Sequence, residues 1–172
     1  MNDVFVVDGG YPLKGEIEVS GAKNVVLPAL VAGLLTDEKV ILENVPLIAD
    51  LFSMIHISGK LGVQIMVNDH QITINNGHLL NREISLEAAA KLRTSFMMVI
   101  PLLLKFGEAK IPNPGGCRIG ARPVERLITG LESLGVKIKY TPDDGYFHME
   151  AKKLTGATYK FTKNSHMGTE MM

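Results

Sequence analysis

The chain carries one pattern twice, and that repetition limits its fold more than any other feature. Leu61-Gly62-Val63-Gln64-Ile65 is matched 73 residues later by Leu134-Gly135-Val136-Lys137-Ile138. Leu35, with a strand ending at Leu42, is matched 69 residues later by Leu104 with a strand ending at Ile111. In both copies a glycine closes an amphipathic helix and an apolar strand begins, the backbone job of a glycine at a helix C-terminus. Two matching units of about 70 residues imply an architecture of similar pieces packed together.

Within each copy the order is helix, strand, helix, strand, strand. From Ala22, KNVVLPALVAGLL reads as a helix, with Pro28 early in the run, where proline is tolerated, and Thr36-Asp37 ending it. VILEN (Val40 to Asn44) reads as a strand. ADLFSMIHISGKLG puts Leu51, Met54, Ile55 and Ser58 roughly on one helical face. VQIMV and QITIN form a hairpin across Asn68-Asp69-His70. In the second copy a helix is expected from about Leu86 through LRTSFMMVIPLLLKF, then a strand at Glu108 to Ile111 and a PNPGG loop. VERLITGLESLG forms the second helix, and VKIKY and YFHME pair across Pro142-Asp143-Asp144-Gly145.

The ends extend the pattern. Val4 to Val7 and Gly15 to Val19 read as two strands separated by a GGYP turn. TGATYKF is strand-like, and NSHMGTEMM resembles the opening of another helix. A third unit thus starts where the chain reaches Met172, which leads us to expect a fragment of a longer protein. The fold class is α/β, with repeat units at about 22–90 and 91–160.

Charge narrows the partners. Lys+Arg and Asp+Glu are both 18, so the net charge is zero, and no basic stripe marks a nucleic-acid partner. A local cluster of cations can still hold a small anion. Phe96 to Leu104 is the longest apolar run; it contains Pro101 and is far too short to cross a bilayer. Asp3 and Gly9-Gly10 interrupt any signal-peptide run, and a single cysteine cannot form an internal disulfide. A soluble cytoplasmic protein without a membrane partner is expected.

That cysteine, Cys117, lies in IPNPGGCRIGARPVE. Gly115 and Gly116 allow a tight bend or a close approach to a ligand. Arg118, Arg122 and the start of the following helix could stabilise a thiolate. The competing reading is a buried, inert thiol. Arg122 and Pro123 stand just before that helix, where proline suits the first turn and an arginine can grip phosphate; an ordinary surface arginine is the alternative. Lys23 and Asn24 also stand at a helix start, where a lysine is disfavoured unless an anion is bound. Arg93 holds a similar place in the second copy. Two ordinary surface bases would explain this pair equally simply. His70, His78 and His148 lack metal-ligand spacing, His56 is expected partly exposed on the second helix, His166 could face a ligand or nothing, and Met97 and Met98 read as core.

Several stretches together carry a resemblance: GGYPLKGEIEVSGAKN, LPALVAGLLTDEKVILENVP, LRTSFMMVIPLLLKFGEAKIPNPGGCRIGARPVE and ITGLESLGVKI. The chain resembles the UDP-N-acetylglucosamine 1-carboxyvinyltransferases, enolpyruvyl transferases that open peptidoglycan synthesis, and looks like their N-terminal portion. The resemblance implies an inside-out α/β barrel built from repeated β-α-β-α-β-β units, incomplete here. It assigns residues 1–21 to the other domain of the family and 22–172 to the first catalytic domain.

The implied reaction moves the enolpyruvyl group of phosphoenolpyruvate to the 3-hydroxyl of UDP-N-acetylglucosamine and releases phosphate, with no metal or organic cofactor. By resemblance, Cys117 is the reactive, fosfomycin-alkylated cysteine, and Lys23 and Arg122 contact phosphoenolpyruvate. Asn24 holds substrate and Arg93 lines the sugar-nucleotide site. Pro123, Val124, Glu125, Ser165 and Gly168 complete the implied substrate contacts.

Two departures stand out. Glu125 replaces the family's usual aspartate after R-P-V, and Ser165-His166-Met167-Gly168-Thr169 stands where the family commonly reads S-V-G-A-T. The family's proposed base for the sugar hydroxyl falls beyond Met172. The isolated chain is therefore expected to be inactive and to need the remainder of the enzyme or a complementary domain. A related transferase acting on shikimate 3-phosphate shares the fold, but the cysteine loop argues against it. The alternative is a non-catalytic remnant that still binds an anion or a sugar nucleotide.

Overall fold

Val26, Leu27, Leu30 and Val31 recur at the spacing of one helical face, and all four are buried in helix α1 (Lys23–Gly33). The coordinates are a computed structural model that describes residues 4–114 and 124–172. Pro28 falls inside α1 rather than in its first turn, because the helix begins only at Lys23. It therefore offers no N–H to the Asn24 carbonyl. The chain continues through β1 (Val40–Leu42), α2 (Ala49–Lys60), β2 (Gln64–Asn68) and β3 (Gln71–Asn75). β3 lies between β1 and β2, antiparallel to both.

The second copy repeats this order. Its elements are α3 (Leu86–Lys91), a 3-10 segment (Arg93–Met98), α4 (Val99–Phe106), β4 (Glu108–Pro112), α5 (Glu125–Ser133), β5 (Lys137–Thr141) and β6 (Tyr146–Glu150). β6 is the central strand, as β3 is in the first sheet. Even the register recurs: the pair Val40–Ile74 reappears as Ala109–Met149. The helix α6 (His166–Met171) then begins the third unit.

Three sequence expectations change. The single helix expected from Leu86 is three pieces: Leu92, with extended backbone (φ −146°, ψ 111°), separates α3 from the 3-10 segment, which runs on into α4. Starting α4 at Val99 places Pro101 in a first turn, where a missing N–H costs little. Val4 to Val7 and Gly15 to Val19 are not strands, and neither is TGATYKF. A strand exists only through its ladder, and no partner strand meets these segments among the described residues. Phe5 and Ile17 are 99% and 90% exposed. In the later segment Tyr159 packs beside α5, donating to the Arg126 carbonyl at 3.0 Å, while Phe161 stacks edge-on against Tyr159 and beside Gly168.

Helices form the inner layer. α1 packs on the 3-10 segment, which packs on α6, which packs on α5. Phe96, Met98 and Leu102 are fully buried here, as expected for Met98, and Met97 is nearly so. The two three-stranded sheets stay separate and open. They send Ile72, Ile74 and Ile111 inward while most of β2 faces solvent. The copies are stitched together where residues 82–84 run parallel to β4: Lys110 N–H donates to Arg82 O at 2.9 Å and Ile84 N–H to Lys110 O at 3.1 Å.

The expected helix-closing glycines are both present. Gly62 and Gly135 have φ of 101° and 90°, a left-handed conformation that suits glycine.

Candidate anion and nucleotide site

Lys23 is the first residue of α1, whose N-cap, Ala22, has no side-chain oxygen to offer the helix N–H groups. A cation at that end opposes the helix dipole. The structure supplies the compensation internally: Lys23 Nζ pairs with the Asp50 carboxylate in the first turn of α2. Asp50 is well placed there, since a helix N-terminus favours negative charge. A bound anion is thus not needed to explain Lys23. Lys23 and Asp50 side chains are 56% and 33% exposed, so the pair contributes at most about 1 kcal/mol and can yield to a competing anion.

The entry to α1 is braced from below. Asn44 Oδ1 accepts the Gly21 N–H at 3.2 Å, and the His70 ring Nδ1 lies 2.8 Å from Val45 O. Beside this entry runs a largely apolar groove of about 540 Å³, lined by Gly21, Ala22, Val25 and the connection from Glu43 to Pro46. Asn24 is exposed at the same helix end.

Arg93 begins the 3-10 segment and is half-buried. Next to it, the Thr94 and Ser95 hydroxyls are buried without a hydrogen-bond partner. Val124 is buried at the N-cap of α5, and Glu125 is exposed in its first turn, where a carboxylate suits the helix dipole. Ser165 serves the fold directly, because its Oγ accepts the Gly168 N–H at 3.1 Å and caps α6. Gly168 is buried against the Phe161 ring.

The candidate residues therefore sit on four elements packed in series: α1, the 3-10 segment, α6 and α5. Cys117, Arg122 and Pro123 lie outside the described residues, as does Arg118. The two ends of their loop are placed, since Asn113 N–H donates to Gly145 O at 3.1 Å and α5 resumes at Glu125. Sequence reasoning missed Asp50 and Asn44. An acid in the first turn of a helix was a readable sign for Asp50, but only the packing of α1 on α2 gives it Lys23 as a partner. No metal-binding cluster of His, Cys, Asp or Glu occurs among the described residues. No helix there is long and apolar enough to cross a membrane.

Helices inside open sheets, with cations at the ends of the inner helices, define a class, and the comparisons agree with it. The profile of the family described as EPSP synthase (3-phosphoshikimate 1-carboxyvinyltransferase) matches residues 7–172, and the chain belongs to that family. A relative from Koribacter versatilis, a UDP-N-acetylglucosamine 1-carboxyvinyltransferase, is 41% identical over 98% of this chain and 39% of its own length. Relatives of the same name from Coxiella burnetii are 40% identical with the same coverage. The chain thus spans 39% of the length of these relatives.

Among solved structures, the enolpyruvyl transferase NikO from Streptomyces tendae aligns with a TM-score of 0.72 and 21% identity, covering 86% of this chain and 32% of that one. An EPSP synthase from Acinetobacter baumannii aligns with a TM-score of 0.69 and 17% identity, covering 91% and 37%. These likenesses establish the fold as that of the enolpyruvyl transferases, with the sheets open here.

Proposed function

We propose that this chain is the portion of an enolpyruvyl transferase that carries the reactive thiol and the phosphoenolpyruvate-binding cations. The whole enzyme transfers the enolpyruvyl group to the 3-hydroxyl of UDP-N-acetylglucosamine in the cytoplasm, as the first committed step of peptidoglycan synthesis. The observation that carries this reading is 41% identity, across 98% of the chain, to a relative of that activity. Residues 22–172 belong in this reading to the first catalytic domain and 1–21 to the other, which the exposed Phe5 and Ile17 support.

The chemistry gives each residue a role. The acceptor oxygen bonds to C2 of phosphoenolpyruvate while C3 gains a proton, with Cys117 serving that transfer. The hydroxyl proton passes to a base outside this chain. Loss of a C3 proton and cleavage of the C2–O bond then release phosphate. Lys23 and Arg122 balance the negative charge of the tetrahedral intermediate and the leaving phosphate. Asn24, Arg93, Pro123, Val124, Glu125, Ser165 and Gly168 hold the substrates. No cofactor is required.

The test is phosphate release by the complete natural product carrying this sequence, with phosphoenolpyruvate and either UDP-N-acetylglucosamine or shikimate 3-phosphate. Turnover with the sugar nucleotide is expected, together with rapid fosfomycin labelling of Cys117. The 172-residue chain alone is expected to show little or no turnover. Turnover with shikimate 3-phosphate alone would move the assignment to the other acceptor. Labelling no faster than a free thiol, with neither acceptor used, would favour a non-catalytic remnant.

A further inference from the structure

Arg126 occupies the first turn of α5, an end where a cation opposes the helix dipole. Its guanidinium resolves that conflict by reaching across to the segment that leads into α6. Nη1 donates to Lys163 O at 3.3 Å and Asn164 O at 3.4 Å. The same segment is fastened in the opposite direction, since the Tyr159 hydroxyl donates to the Arg126 carbonyl at 3.0 Å. The two surfaces meet closely. A Cβ on Gly130 of α5 would stand 2.8 Å from Met172 Sδ and 3.3 Å from the Tyr159 ring.

We infer that Arg126 is a positioning residue that fixes residues 163–168 against the start of α5. It thereby presets the spacing between Glu125 and Ser165 for the nucleotide part of the acceptor. The inference rests on the reading above for its ligand, while the clamp itself rests on geometry alone. Bonds from a charged donor to two carbonyls hold a short segment, and their loss frees it. In that reading phosphoenolpyruvate is held from two helix starts, by Lys23 at α1 and by Arg122 ahead of α5, so its binding is expected to respond less than that of the sugar nucleotide.

The experiment compares wild type, Arg126→Met and Arg126→Lys in the complete natural product. It measures amide exchange at residues 163–168 and KM for each substrate. Arg126→Met keeps most of the aliphatic stem and removes the donors. It is expected to speed exchange in that segment several-fold and raise KM for UDP-N-acetylglucosamine roughly fivefold, with a smaller rise in KM for phosphoenolpyruvate. Arg126→Lys, which keeps the charge and one flexible donor group, should fall between, and it remains informative if the Met variant fails to fold. Unchanged exchange overturns the clamp. Faster exchange with an unchanged sugar-nucleotide KM overturns the positioning role. A wild-type protein that does not use the sugar nucleotide refutes the underlying functional reading, and this inference with it, before any variant is compared.

Discussion

The two copies build the same sheet but close the preceding helix by different means. In the first, α1 gives way to Leu34 with ordinary right-handed backbone. Asn76, just past β3, closes it with its side chain: Nδ2 donates to Leu34 O at 2.6 Å and Thr36 O at 3.1 Å. In the second, α4 ends on Gly107 in the left-handed conformation (φ 72°), whose N–H bonds Leu103 O at 2.8 Å. The residue equivalent to Asn76 is Ala151, and there a backbone N–H donates to Gly107 O at 2.8 Å. Carbonyls at a helix C-terminus need partners, and a side chain or a turn of backbone can supply them. Repeats can therefore preserve a fold while exchanging the atoms that secure it.

The largest expected difference between the copies lies at the paired glycines. A Cβ on Gly62 would stand 2.2 Å from the His78 carbonyl oxygen, which is backbone, whereas one on Gly135 would stand 3.3 Å from the Thr155 hydroxyl, which is not. Gly62→Ala is expected to cost about 3 kcal/mol or more in urea unfolding, and Gly135→Ala about 1 kcal/mol. Equal losses would mean that the first copy can shift residues 78–80 as freely as the second shifts its threonine.

The helix closures should differ next. Asn76 is buried and satisfies two carbonyls, so Asn76→Ala should cost about 2 kcal/mol. A loss below 0.5 kcal/mol, on the order of a surface substitution, would show that other groups or water take over those carbonyls.

The smallest effect is expected at the hairpin turns. Burial raises the Asp144 carboxyl pKa, but hydrogen bonds from Tyr146 N–H (3.0 Å) and with the His148 ring (2.9 Å) outweigh it and hold the pKa below the ordinary value. The stability this group contributes is present above the unfolded carboxyl pKa of about 3.9 and is lost as pH falls through the lower folded value. Acidification in that window should lower the exchange protection of the Tyr146 amide, relative to an unstructured amide at the same pH, more than that of β3, and Asp144→Asn should abolish the difference. A Tyr146 amide that follows β3 in both proteins would remove Asp144 as the distinguishing feature of the second hairpin.

Much of the architecture was readable. The helix-strand-helix-strand-strand order, both hairpins and the glycines at 62 and 135 follow from short-range period and turn chemistry. The break at Leu92 was hidden because LRTSFMMVIPLLLKF is apolar nearly all round, so periodicity does not mark where one segment stops. Candidate residues such as Lys23 and Arg93 were legible as bases near helix starts, and Glu125 only through the family resemblance. The pairing of Lys23 was not legible, because Lys23 and Asp50 are 27 positions apart and meet only through helix packing.

By itself, the sequence determined the repeated unit, the glycine-closed ends of α2 and α5 and the family to which the chain belongs. These depend on periodicity, on glycine's access to positive φ and on motifs contained in short stretches. Tertiary structure alone decided which extended segments become strands, which carboxylate neutralises Lys23 and how Arg126 is used at an unfavourable helix end. Each of those outcomes needs a partner remote in the chain, since a ladder, an ion pair or a carbonyl contact forms only after packing brings both members together.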